Sequence, residues 1–183
     1  NQWTVNAGLS SLARESAQNS NDARVEGPRG DLVYSFIVVS GNARREFESA
    51  IRWDSELKPH LSAMADAATG AVSAGQLQSG LKALESAESL TLLRIADYGA
   101  RGLTGPEFAE GNAADYGNFV KLCRLDLYSG KDRASGGSFG LGKAVYWRFS
   151  RLQTVLFNST LDPKDAVHGN WRNRLIGVNQ GVV

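Results

Sequence analysis

The chain has 183 residues, 42% of them apolar, and a formal net charge of +1. That is room for one domain with a sizeable core, with no global steering toward nucleic acid or membrane. A single cysteine, Cys123, and two histidines, His60 and His168, exclude an internal disulfide and argue against a cysteine- or histidine-built metal centre.

No apolar run nears the roughly 20 residues that span a bilayer, and no signal peptide is visible. The expectation is a cytoplasmic protein with no membrane partner. The chain opens on Asn1 rather than Met and stops just after an apolar run, which suggests a further domain beyond Val183.

In chain order, Asn6 to Arg24 can form a helix with Leu9, Leu12, Ala13 and Ala17 on its apolar side. Gly27-Pro28-Arg29-Gly30 breaks it. Leu32 to Val39 is a dense β-branched and aromatic run, expected as a largely buried strand. Ala43 to Trp53 and Leu57 to Ala68 read as helices. Thr69 to Gly80 is small and polar, a loop or a weak helix. Leu81, Leu84 and Ala87 suggest further helical turns. Leu90 to Ala96 reads as a second buried strand ending at Asp97.

Gly99 to Gly117 then holds five glycines and a proline, a long loop of the kind that serves as a lid. Phe119, Leu122 and Leu125 give a short helix, and Ser129 to Gly142 is glycine-rich again. Lys143 to Phe149 opens another helix. Val155 to Phe157 and Leu175 to Val178 are expected strands. Helices and strands mix without regular alternation, so the fold class is α+β, in a single domain over residues 1–183.

Three motifs carry chemistry. Glu15, Asn19 and Asp22, spaced by four and three, share one face of the first helix, expected to be distinct from its apolar side. An amide oxygen at Asn19 suits a hard cation such as Mg²⁺, and Glu15 can orient or deprotonate a water. The same spacing also fits a solvated helix face. Asp97-Tyr98-Gly99-Ala100-Arg101-Gly102 places a carboxylate at a strand end before glycines, a floor that a flat ligand can approach, or simply a strand-ending turn.

Gly136-Gly137-Ser138-Phe139-Gly140-Leu141-Gly142-Lys143, followed by an apolar helix, presents backbone N–H groups to an anion. Gly137 to Lys143 also satisfies G-x-x-x-x-G-K. A P-loop needs Ser or Thr next and a strand before it, and Ala144 and a polar loop stand there instead.

In this order the motifs resemble the gyrase, heat-shock-chaperone, histidine-kinase and MutL (GHKL) ATPase superfamily, over about Leu12 to Phe157. The helix is similar to its E-x-x-x-N-x-x-D box, Asp97 and Gly99 to its D-x-G-x-G box, and Gly137 to Lys143 to its glycine-rich phosphate box. The form D-Y-G-x-x-G-L-x-G, one residue longer than usual, is nearer to bacterial MORC-like and stand-alone ATP-binding branches.

The resemblance implies a two-layer Bergerat-type sandwich, with a mixed sheet and helices on one face, that binds ATP and Mg²⁺. Glu15 would be the general base, Asn19 the metal ligand and Asp97 the adenine reader. Gly99 and Gly102 would let the base approach. Gly137, Ser138, Phe139, Gly140, Leu141 and Gly142 would wrap the phosphates, with Lys143 and Lys131 neutralising charge and Asp22 in support. Leu103 to Ser135 would be the ATP lid.

From Lys121 to Arg151 seven Lys or Arg face two Asp, sensible beside a triphosphate and able to touch nucleic acid, though no exposed aromatics interleave them. The expected function is an ATP-hydrolysing conformational switch, with an ATP-dependent homodimer among its possible states. A non-catalytic nucleotide-binding module of a nucleic-acid or defence machine is the alternative. A histidine-kinase-type phosphotransferase stands behind it, since such kinases generally lack a glutamate at the place of Glu15 and no phosphoacceptor helix is evident.

Cys123, in an apolar helical pattern, is expected as a small core residue and His60 as a structural or surface one. Trp53, Trp147 and Trp171 are expected in core or interface, with Ser159 or Thr160 near the adenine pocket.

Overall fold

The structure is a computed structural model that describes residues 8–27, 29–67, 72–108, 112, 116–124 and 143–179. Helix α1 spans Leu9–Asp22, strand β1 Asp31–Ser40 and helix α2 Gly41–Ala50. A π-helical turn, Trp53–Leu57, runs into α3, Lys58–Ala67. Helix α4 is Val72–Ser86 and strand β2 Ser89–Tyr98. A second π-helical turn covers Val120–Arg124. Helix α5 is Ala144–Arg148, and strands β3 and β4 are Thr154–Thr160 and Asn173–Asn179. The class is α+β. The strands pair antiparallel in twos, β1 with β2 and β3 with β4.

Two compact units divide the chain. One holds residues 1–32, 97–148 and 155–178, and the other 33–96, 149–154 and 179–183. In the second unit, apolar residues at helical spacing on α3 (Leu61, Ala65) and α4 (Leu77, Leu81, Leu84) bury against Trp53. Arg44 on α2 donates to the carbonyls of Leu84 (3.0 Å) and Ala87 and pairs with Glu48 at 2.7 Å, so a cation caps the end of α4.

Of the two forms expected for Thr69 to Gly80, loop or weak helix, the structure has the helix from Val72 onward, as part of α4. Within α4, position 80 calls for glycine for a packing reason. A Cβ at this position would collide with the Arg151 carbonyl, so the helix approaches that backbone more closely than any side chain permits.

The first unit has its own apolar centre. Leu103, Phe119 and Cys123 pack with Leu122, Phe157, Ile176 and Val178. Trp147 is buried, donates from its indole N–H to the Val178 carbonyl at 2.9 Å, and tilts against Phe157 with ring centroids 5.8 Å apart. Trp53 and Trp147 are core residues, as expected. Trp171 is exposed, in the tight bend between Val167 and Trp171, whose backbones pair with each other.

β1 forms where its branched and aromatic residues lead one to expect it, but it is not buried. Phe36 is 73% and Val38 64% exposed. Among the described residues β1 pairs in a sheet with β2 alone, and the strand keeps much of its apolar surface exposed. Phe36→Ser is therefore expected to change unfolding free energy by under about 1 kcal/mol. Leu61→Ala, at a fully buried position, should cost about 2–5 kcal/mol. Urea unfolding followed by tryptophan fluorescence compares the two, and a loss above about 2 kcal/mol for Phe36→Ser would show that β1 is covered.

Candidate functional site

Every candidate residue that the structure describes lies in the first unit: Glu15, Asn19, Asp97, Gly99, Gly102 and Lys143. Lys131, Gly137, Ser138, Phe139, Gly140, Leu141 and Gly142 lie outside the described residues, as does most of the expected lid.

Helix α1 turns a different side inward from the one its composition suggests. Leu9, Ala13 and Ala17 are exposed, while Leu12 and Ser16 are buried and Glu15 and Asn19 are half-buried beside them. At 100° per residue, positions 12, 15, 16 and 19 form one stripe. The polar candidates thus share the inward face, not the opposite one. Ser16 can sit there because its hydroxyl donates to the Leu12 carbonyl at 2.6 Å, so no polar group is stranded. Asp22 points outward and is exposed.

Glu15 keeps only 14% of its side chain exposed and contacts Arg14 Nη2 at 3.3 Å. Asn19 donates from Nδ2 to the Tyr146 hydroxyl at 3.0 Å. Tyr146 stands on α5, just after the glycine-rich segment, and α1 packs against α5.

The other end of α1 meets the turn that leaves β2. Val25 N–H donates to the Gly99 carbonyl (3.0 Å) and Arg101 N–H to the Ala23 carbonyl (2.8 Å), an antiparallel bridge between Arg24 and Ala100. The extra residue between Gly99 and Gly102 has its explanation here: Ala100 and Arg101 supply this bridge. Asp97, the penultimate residue of β2, is exposed.

Both glycines of the box have reasons internal to the fold. Gly99 has φ +78°, and a Cβ there would lie 3.3 Å from Gly30 Cα. Gly102 has φ +71°, and a Cβ would collide with Ser159 Oγ, which accepts from the Leu103 N–H at 3.0 Å. Ser159 therefore reaches the glycine box itself.

Lys143, expected beside phosphate, donates to the carbonyls of Lys121 (3.2 Å) and Leu122 (3.5 Å), so its charge sits against the helical turn Val120–Arg124. His60 and His168 are exposed. His168 lies 3.4 Å from Glu107.

Sequence reading missed Arg174. It is buried on β4, donates through Nη1 to the carbonyls of Leu103 (2.5 Å) and Gly105 (2.8 Å), and lies over the Phe119 ring, 4.2 Å from its centroid. Nη2 is buried and has no hydrogen-bond partner among the described residues, with Glu107 at 4.0 Å. Burial lowers the guanidinium pKa, and Glu107 opposes that shift. Phe119 N–H also donates to the Thr104 carbonyl at 3.0 Å, and Asn118 to the Gly102 carbonyl at 2.9 Å. The start of the expected lid is thus pinned to residues 117–119 and to β4. No local signal marks Arg174, since its partners lie about seventy residues away in sequence.

Among the described residues no group of three or more His, Cys, Asp or Glu could hold a metal. The Asn19 amide and the Glu15 carboxylate, on one stripe of α1, are oxygen donors of the kind that would suit a hard cation taking its other ligands from water and substrate. No family model matches the chain, and comparison with curated proteins and with solved structures yields no match.

Cys123 is buried, and desolvation pushes its thiol up to about 11, partly opposed by Lys143, Arg124 and Arg174. Because burial disfavours the thiolate, full stability is kept below the ordinary thiol value near 8.5 and is lost progressively as pH rises from there through about 11. Iodoacetamide at pH 8 should label Cys123 about 100-fold more slowly in the native chain than in urea, from ionisation alone. Equal rates would contradict the buried placement.

Proposed function

We propose that the chain binds Mg-ATP and hydrolyses it, in a Bergerat-type pocket of the GHKL kind, and acts as a nucleotide-driven switch. The observation that carries this reading is the double attachment of α1. Its inward face is tied to α5 through Asn19 and Tyr146, and its exit is bridged to the turn after Asp97. Glu15 and Asn19, the residues Asp97, Gly99 and Gly102 about eighty positions on, and Lys143 just before α5 fall in one unit.

In this reading Asp97 accepts a hydrogen bond from the adenine amino group, and Gly99 and Gly102 shape the floor beneath the base. Asn19 presents an amide oxygen to Mg²⁺, and Glu15 on the same stripe of α1 takes a proton from the attacking water. When bound, the metal would neutralise charge on the phosphates. The backbone from Gly137 to Gly142, with Lys131 and Lys143, would hold the phosphate tail. Glu15 supports its assigned role by position, since a carboxylate mostly withdrawn from solvent keeps few waters of its own.

Calorimetric titration with ATP and a non-hydrolysable analogue, with and without Mg²⁺, tests the reading directly; no binding in either condition would overturn it. Glu15→Ala should retain ATP affinity within about threefold and lower phosphate release by at least ~100-fold. Equal loss of binding and turnover would remove Glu15 as the base. Asp97→Asn should weaken nucleotide binding by about 10- to 100-fold, the worth of a hydrogen bond to a charged acceptor. Unchanged affinity would remove Asp97 from the adenine contact. Binding without any phosphate release by the unaltered chain would leave a nucleotide-binding module in place of an ATPase.

A further inference from the structure

We infer that Tyr146 is a positioning residue for the metal half of this site: its hydroxyl holds the Asn19 carboxamide with the nitrogen end engaged and the oxygen end available to Mg²⁺. The inference rests on the Mg-ATP reading above and adds to it a residue that no motif contains.

A carboxamide has two ends of nearly the same shape, and only the oxygen can bind a cation. A half-turn of the amide exchanges them, so an asparagine ligand needs a partner that fixes which end faces the metal. In this structure the Nδ2 end is taken, donating to the Tyr146 hydroxyl at 3.0 Å. Donation from the amide nitrogen also draws electron density toward the oxygen, which makes it a better ligand.

The hydroxyl is itself held in place. Tyr146 belongs to the first turn of α5, with its N–H donating to the Lys143 carbonyl at 3.1 Å. Its neighbours Val145 and Trp147 are both buried, and Trp147 is further tied to Val178. A partner on a packed helical turn restrains a ligand more tightly than one on a loop. Asn19 is equally constrained, on the stripe of α1 that carries buried Leu12 and Ser16.

The test separates this role from packing. Tyr146→Phe keeps the ring and removes only the hydroxyl, and its thermal melt checks that the fold is kept. Affinity for the ATP analogue adenylyl imidodiphosphate is measured by calorimetry in EDTA and in Mg²⁺. The expected result is affinity in EDTA within about twofold of the unaltered chain, with the Mg²⁺-dependent gain reduced about tenfold, the usual effect of losing an outer partner of a metal ligand.

Asn19→Asp supplies the second arm. A carboxylate has oxygen at both ends and needs no orientation, so in that background Tyr146→Phe should alter the Mg²⁺-dependent gain by less than about threefold. An undiminished gain in Tyr146→Phe overturns the inference. So does an equal loss in EDTA and Mg²⁺, or a tenfold effect that persists beside Asn19→Asp. If the unaltered chain shows no Mg²⁺-dependent gain at all, the Mg-ATP reading itself falls, and the positioning role falls with it.

Discussion

Two backbone hydrogen bonds, Val25 to the Gly99 carbonyl and Arg101 to the Ala23 carbonyl, hold the exit of α1 against the turn that ends β2. Much else in the first unit follows from them. They set where the chain runs after α1, and Gly30 lies so close to this turn that a Cβ on Gly99 would touch its Cα. They account for the two residues between Gly99 and Gly102, which are the strand side of the bridge. They also require glycine at Gly99, because its φ of +78° turns the backbone into the bridge where an L side chain is strained.

Around that bridge several polar side chains tie the first unit together. Arg174 reaches from β4 to the carbonyls of Leu103 and Gly105, and its guanidinium lies over Phe119. Ser159 serves the Leu103 N–H, and Asn118 the Gly102 carbonyl. A segment rich in glycine has few side chains with which to pack itself, and its buried carbonyls must find donors elsewhere. Arginine is suited to this task because its planar fork can satisfy two carbonyls at once while its face stacks on an aromatic ring. The second unit follows another logic, with an apolar seam from α3 and α4 closed over Trp53 and Arg44 donating to the carbonyls at the end of α4.

The elements that could be read from the chain are those whose signal is local. Strands at Leu32 to Val39 and Leu90 to Ala96 follow from runs of branched residues, α1 from helical periodicity, and α5 from the apolar stretch that opens after the glycines. Cys123 could be assigned to the core from its apolar neighbours alone. The inward face of α1 could not be read. Four alanine and leucine positions marked one side as apolar, but Ser16 satisfies its own hydroxyl within the helix and so is free to be buried. The exposure of β1 was equally hidden, since composition records what a strand is able to bury and not what is present to cover it.

By itself, then, the amino-acid order determined the α+β class and the positions of most helices and strands, and it marked three stretches from which the proposed nucleotide site was read. Those properties depend on neighbours within a turn or two. Only the tertiary structure decided that Asn19 meets Tyr146, that Ala100 pairs with Arg24 just past the end of α1, that Lys143 turns toward the carbonyls of Lys121 and Leu122, and that Arg174 is buried beneath the start of the glycine loop. Each joins groups that the chain brings together only by folding back on itself, over distances across which local propensity carries no information.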